Sequence, residues 1–252
     1  MGKIICIANQ KGGVGKTTLT ANIGAALTLE GKTVLLVDLD AQCSLTMSFG
    51  YDPNNFDNSI VTVLDNPSKV GQAIFETDVE NLSILPASTM LITVDSNLIS
   101  KRDRYERLKK ALDKVKPLFD YILIDCSPAL STITINALVV ADYILTPAET
   151  KIASHFSLDA FVSTIETMKA VRNPNLQSLG VVATMYNCQA NEDKEVLASI
   201  QTNNVLLGVI KRTTAVSSAV KKGLPCVLVN RRTVVAQEFR TITNKIIEKV
   251  EG

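Results

Sequence analysis

Along the chain, short runs of aliphatic and β-branched residues alternate with longer stretches whose apolar positions recur every three or four residues. Lys3–Ala8, Thr33–Asp38, Tyr121–Asp125, Tyr143–Thr146, Leu179–Thr184 and Val205–Ile210 read as strands. They are nearly continuous in Ile, Val and Leu, which is the pattern of strands covered on both faces. Lys16–Glu30, Asp95–Val115, Ser131–Val140, His155–Val171 and Glu192–Thr202 read as amphipathic helices. Their alternation with the strands predicts an α/β fold, a mostly parallel twisted sheet with helices on both faces. Residues 48–100 are the least regular and read as a lobe of short elements inserted on the same domain. No linker or break in composition divides residues 1–252, so the chain is read as a single domain.

Composition narrows the class. The 252 residues, 46% hydrophobic, are enough for a continuous core, and 20% charged residues are too few for a disordered chain. No stretch approaches 18 uncharged apolar residues, so a membrane span is excluded. The opening Met1-Gly2-Lys3 leads straight into a strand, without the apolar region of a secretory signal and without Ser or Thr near the sixth position of a myristoylation signal. Cys6, Cys43, Cys126, Cys188 and Cys226 are scattered, with no C-x-x-C pair and a single His in the chain. They read as small apolar residues in a reducing cytoplasm.

The net charge of +1 conceals alternating blocks. Residues 41–100 carry −6 and residues 117–210 carry −5, while residues 101–116 carry +5 and residues 211–252 carry +6. Blocks this polarised suggest distinct acidic and basic faces and bring a polyanionic partner into consideration.

The strongest chemical signal is Asn9-Gln10-Lys11-Gly12-Gly13-Val14-Gly15-Lys16-Thr17-Thr18, which follows the first strand and opens the first helix. Glycines there let backbone N–H groups converge on phosphate oxygens, and the helix N-terminus adds partial positive charge. Lys16 is placed to reach the β- and γ-phosphates and the Thr17 hydroxyl to ligate Mg²⁺. Gln10 stands where the usual phosphate loop has glycine, and Lys11 falls at the mouth of the site, where it can donate to a phosphate on a neighbouring subunit. Asp125 ends an apolar strand beside the loop, the position for a carboxylate that holds a Mg²⁺-bound water. Asp38 and Asp40 close the second strand and are expected to face opposite sides.

Lys11–Thr18 resembles the deviant Walker A motif of the ParA/MinD group of P-loop ATPases. Val34–Gln42 is similar to the group's second-strand motif, with Ala41 at a position usually held by Pro. Tyr121–Pro128 is similar to its Walker B strand, with Ser127 where Pro is frequent. The resemblance runs to the end of the chain and lies nearest the ParA/Soj-type DNA-partition ATPases. It implies a Mg²⁺-dependent ATPase, cytoplasmic and nucleoid-associated, whose homodimer sandwiches ATP. Such a protein binds double-stranded DNA without sequence preference and partitions plasmid or chromosomal DNA. Hydrolysis of ATP to ADP and phosphate is weak alone and is stimulated by a ParB-like centromere-binding partner.

Site roles follow from the same resemblance. Lys11, Lys16 and Asp40 are the catalytic group, with Asp40 on the attacking water. Thr17, Asp38 and Asp125 form the metal shell. The nucleotide is held by Lys11, Gly12, Gly13, Val14, Gly15, Lys16, Thr17 and Thr18, and its adenine lies between Thr184–Asn187 and Ile210–Thr213, touching Met185, Lys211 and Thr213. Lys211 and Thr213 replace the family's usual Pro and Asn. DNA is contacted by Arg212, Lys221, Lys222, Arg231 and Arg232, with Gln189 where the family has a second arginine and Lys101–Lys116 as a further basic surface. The chain leaves no room before its first strand for the helix-turn-helix domain of the longer partition proteins. The alternative is a MinD-like or other cargo-positioning ATPase at a membrane or on a protein cargo. Against membrane docking, the tail from Gln237 to Gly252 has one apolar helical face but no net charge, as in a helix packed on its own domain.

Overall fold

The glycine loop sits on the innermost strands of the molecule. A computed structural model describes residues 2–252, with the backbone alone at His155 and Phe156; Met1, part of the N-terminal reading, lies outside the described residues. In chain order the first elements are β1 (Lys3–Ile7), α1 (Lys16–Leu29), β2 (Val34–Leu39), α2 (Ser44–Ser48), α3 (Ile60–Asp65), β3 (Phe75–Glu76), β4 (Leu82–Leu85), α4 (Leu91–Ile99) and α5 (Arg107–Val115). They are followed by β5 (Tyr121–Cys126), α6 (Thr132–Val140), β6 (Tyr143–Glu149), α7 (Ile152–Arg172) and β7 (Gln177–Tyr186). The chain ends with α8 (Asn191–Asn203), β8 (Leu206–Lys211), α9 (Ala215–Val220), α10 (Cys226–Val229) and α11 (Val234–Glu251).

The strands form one sheet in the order β3-β4-β2-β5-β1-β6-β7-β8. Every neighbouring pair is parallel except β3 with β4, as the β-α alternation predicts. Successive strand residues point to opposite faces, and the core is divided accordingly. Ile4, Cys6, Leu35, Val37, Ile122 and Ile124 pack under α3 to α6, whereas Ile5, Ile7, Leu36 and Leu123 pack under α1 and α11. Gly24 allows α1 to lie close on β2, because a Cβ there would stand 2.6 Å from the Leu36 side chain. The tail behaves as its charge suggests: Phe239, Ile242, Ile246 and Val250 are buried in the second core. Its end is tied down by Tyr121, whose hydroxyl donates to Glu251 at 2.6 Å, and by the Lys32–Glu251 pair at 2.9 Å.

Two expectations need correction. Residues 48–100 are more than a lobe, since they supply β3 and β4, and β4 pairs with β2 from Val34↔Leu82 to Val37↔Leu85. The helix expected over Asp95–Val115 is two helices, α4 and α5, separated by residues 100–106. Long-range contacts fix that break. The Arg107 guanidinium turns inward, donating to the carbonyls of Leu64 and Asp65 and pairing with Asp103 at 2.9 Å. Asn136 accepts from Leu108 N–H at 3.1 Å and donates to the Arg104 carbonyl at 2.6 Å. Nothing in the local sequence, which has neither Gly nor Pro there, signals the interruption.

Candidate functional site

The loop between β1 and α1 has the geometry its glycines suggest. Gly13 and Gly15 adopt φ of 75° and 91°, in the left-handed region that disfavours residues with a Cβ. Gly15 is the N-cap of α1 and offers no side-chain acceptor, so the first N–H groups of the helix remain available to an anion. Lys16 is buried, and its ammonium donates to the Lys11 carbonyl at 3.0 Å across the loop. Burial pushes that ammonium below its ordinary pKa, while Asp125 and Asp40 oppose the shift. An electron-rich group in the loop would relieve the lysine of its desolvation and replace the carbonyl as its partner.

Behind the loop, β2 and β5 bring Asp38 and Asp125 side by side as register partners. Thr17 donates its hydroxyl to Asp125 Oδ2 at 2.7 Å, and Asp125 Oδ1 is buried with no hydrogen-bond partner among the described residues. Burial, together with Asp38, pushes the Asp125 carboxyl well above the ordinary carboxylate range. A buried carboxylate with one unsatisfied oxygen beside a threonine hydroxyl fits a divalent cation, which would supply the missing positive charge.

Asp38 is satisfied differently. It accepts from the Thr46 N–H at 2.9 Å, the Thr46 hydroxyl at 2.7 Å and the Asp40 N–H at 3.2 Å, and burial lifts its pKa to about 6. Asp40 lies just beyond β2, half-buried on the cavity wall, and accepts from Gln42 N–H at 2.9 Å. The two carboxylates thus have separate surroundings, but the pleat is not the cause, since residues two apart in a strand share a face. The separation arises because the chain leaves the sheet after Leu39.

Gly12, Gly13, Gly15, Lys16, Thr17, Thr18 and Asp40 line one cavity of about 790 Å³, which extends to Asp95 and Ile92 of α4 and to Val216, Val220 and Cys226 on the opposite wall. A second pocket of about 200 Å³ adjoins Gly15 and Thr18 and is lined by Thr184, Met185, Ile210, Lys211, Arg212 and Thr213. The segments expected around a base therefore do meet at one pocket. Met185 has φ of 55°, a left-handed conformation in a residue with a Cβ. Lys11 points away from both cavities, with its ammonium on Ser154 Oγ and 3.4 Å from Glu149.

Arg212, Lys221, Lys222, Arg231 and Arg232 are all exposed. Lys221, Lys222, Arg231 and Arg232 make no ion pair among the described residues, whereas Arg212 lies 3.7 Å from Glu149. The segment carrying them also forms part of the large cavity's wall. Asn22 of α1 ties it down, accepting from Val227 N–H at 3.1 Å.

Sequence reasoning missed three supports of the site. Thr46 anchors Asp38, and Glu149 with Ser154 holds Lys11. Asp193, fully buried, accepts from Thr150 and Lys151 at 2.6 Å each and from Asn187 N–H at 2.9 Å, joining the end of β6 to the loop after β7. Asp193, next to Glu192 at the start of α8, reads in sequence only as helix-dipole complement. Of the cysteines, Cys6, Cys43, Cys126 and Cys226 are buried as read, and Cys188 is exposed.

A glycine loop joining the central β1 to α1, with Lys16, Thr17 and the Walker B Asp125 converging beside it, defines a P-loop NTPase fold. A family model described as an AAA domain matches residues 2–178. The chain is 35% identical over 249 residues to the sporulation initiation inhibitor protein Soj of Bacillus subtilis (strain 168), covering 98% of both chains. It is 30% identical over 252 residues to the chromosome partitioning protein ParA of Myxococcus xanthus, covering 99% of this chain and 89% of that one. Among solved structures it is similar to cobyrinic acid a,c-diamide synthase of Mycobacterium smegmatis with bound ATP analogue and magnesium. That similarity has a TM-score of 0.86 and 32% identity, with coverage of 100% and 98%. The chain belongs to this AAA-domain family of ParA- and Soj-like P-loop ATPases. No helix among the described residues is long and apolar enough to cross a membrane.

Proposed function

We propose that the chain is a single-domain Mg²⁺-dependent ATPase that forms an ATP-sandwich homodimer, binds double-stranded DNA without sequence preference and partitions DNA with a ParB-like partner. The observation that carries the ATP site is the pairing of Thr17 with a buried Asp125 whose second oxygen has no partner, directly behind the glycine loop and Lys16. The partition role is supported by the full-length likeness to proteins named Soj and ParA.

In this reading the backbone N–H groups of the loop and Lys16 bind phosphate, and Lys16 exchanges the Lys11 carbonyl for a phosphate oxygen. Thr17 and Asp125 hold the metal, with Asp38 behind them, and the metal when bound neutralises phosphate charge. Asp40, facing the cavity, orients the attacking water. The smaller pocket takes the adenine, with Met185, Lys211 and Thr213 beside it. Lys11 reaches a phosphate in the partner subunit, which ties hydrolysis to dimerisation and makes ATP a switch of the molecular surface. Arg212, Lys221, Lys222, Arg231 and Arg232 neutralise DNA phosphates on a protein that is cytoplasmic and nucleoid-associated.

The test is binding of the Asp40→Ala protein to unrelated duplexes with ATP or with ADP, titrated across salt. ATP-dependent binding that weakens steeply with salt is expected. An ATP dimer without DNA binding would transfer the reading to a positioning ATPase acting at a membrane or on a protein cargo, and liposome binding would decide between those. Lys16→Ala is expected to abolish productive nucleotide binding; unchanged ATP affinity and turnover would remove the loop from the mechanism.

A further inference from the structure

Glu149 carries a carboxylate for which the nucleotide and DNA readings assign no role. It is the last residue of β6, and its side chain is 19% exposed. Its Oε2 lies 3.4 Å from Lys11 Nζ, and its Oε1 lies 3.7 Å from the Arg212 guanidinium. One carboxylate is therefore counter-ion to both the lysine assigned to nucleotide phosphate and the arginine assigned to DNA. Ser154 Oγ holds the same lysine from a second direction.

The carboxylate stands on a rigid support. Glu149 is the register partner of Thr184 on β7, and the Thr184 hydroxyl donates to the Val14 carbonyl in the glycine loop at 2.8 Å. The next two residues, Thr150 and Lys151, are anchored on the buried Asp193. The backbone that carries Glu149 is thus held in place by its neighbours. A lysine seated on Glu149 and Ser154 must break an ion pair and a hydrogen bond before it reaches a phosphate. Arg212 likewise meets DNA with its charge already partly balanced.

We propose that Glu149 is a positioning residue that holds Lys11 back from the nucleotide and Arg212 back from the polyanion, and so sets the threshold of both dimerisation and DNA binding. This rests on the roles given to Lys11 and Arg212 in the proposed function. Each threshold is moved by about three- to fivefold, the scale of a partly exposed ion pair. Lys221, Lys222, Arg231 and Arg232, which make no ion pair among the described residues, are left to meet the polyanion without such a counter-ion.

Glu149→Gln keeps the shape of the side chain and removes its charge. In the hydrolysis-deficient Asp40→Ala background, sedimentation gives the ATP concentration for half-dimerisation, and fluorescence anisotropy at saturating ATP gives DNA affinity. Glu149→Gln is expected to lower the ATP midpoint and tighten DNA binding, each about three- to fivefold. Glu149→Asp, which keeps the charge, should stay near the parent. Ser154→Ala should lower the ATP midpoint while leaving DNA affinity unmoved, and adding Arg212→Ala should erase the DNA gain of Glu149→Gln. Midpoint and affinity both unchanged in Glu149→Gln, with a parent that dimerises normally, overturn the proposal. A DNA gain that persists without Arg212 overturns its second arm. A parent that shows no ATP dimer contradicts the functional reading itself, and that outcome is read before any variant is compared.

Discussion

Residues 101–116 and residues 211–232 are both strongly basic, yet the fold treats their charges differently. In the first stretch Lys101 pairs with Asp65, Arg107 and Lys110 with Asp103, Lys109 with Asp113 and Lys116 with Asp142, at 2.6 to 3.0 Å. Lys114 donates to Ser68, and Arg104 donates to the Ile99 carbonyl and lies over the Tyr105 ring. Only Arg102 of the eight cations there lacks such a partner among the described residues. The second stretch holds six cations and no carboxylate. Four of them make no ion pair among the described residues, and the other two meet their partners at 3.7 and 3.9 Å. A charge block in a sequence is a count of charges, whereas a nucleic-acid surface needs charges that are not already neutralised. Residues 101–116, expected to be a further basic surface, have most of their charge balanced within the chain.

The largest effect should come from removing the unpaired charges. Replacing Lys221, Lys222, Arg231 and Arg232 together with Ala should reduce the dependence of log affinity on log salt by about 3 to 4, as expected for four lost phosphate contacts. The same salt titration on Lys109→Ala with Lys114→Ala should leave the slope within about 0.5 of the parent. Equal losses from both sets would abolish the distinction between the stretches.

A smaller effect, and one on the fold, should follow from Arg107→Ala. That guanidinium is nearly buried and serves two carbonyls and Asp103, so its loss strands polar groups at the break between α4 and α5. The expected loss is about 3 kcal/mol in urea denaturation. A change below about 0.5 kcal/mol would mean that the first stretch is not structural.

The smallest concerns Asp103, whose pKa is held at about 2, chiefly by Lys110 and then by Arg107. Because the folded value lies below the unfolded one, the stabilisation is complete above the ordinary carboxylate value near 4 and is lost as pH falls through about 2. The carboxylate is only half-buried, so Asp103→Asn should cost less than about 1 kcal/mol at pH 7 and much less near pH 2. An equal cost at both pH values would assign the loss to shape instead of charge.

The legible parts of the sequence were those governed by local pattern. β1, β2 and β5 are buried almost throughout and read as nearly continuous apolar runs, and the left-handed turns of the glycine loop fall on glycines. β4 escaped because it is four residues long and interrupted by Ser83, and β3 because it is a two-residue edge strand. The break near Arg107 escaped because partners far along the chain create it. The supports of the site were hidden for the same reason, since Glu149 and Ser154 meet Lys11, and Thr184 meets Val14, only once the sheet is assembled. Sequence pattern picks out the glycine loop, Lys16, Thr17 and Asp125, and the folded chain decides which cations are left without an ion pair.

Sedimentation of the Asp40→Ala protein with ATP and Mg²⁺, with ADP and Mg²⁺, and with ATP and a chelator tests the central claim that the Lys16, Thr17 and Asp125 site governs assembly. The account predicts a dimer in the first condition and monomers in the other two. The same mass in all three would contradict it.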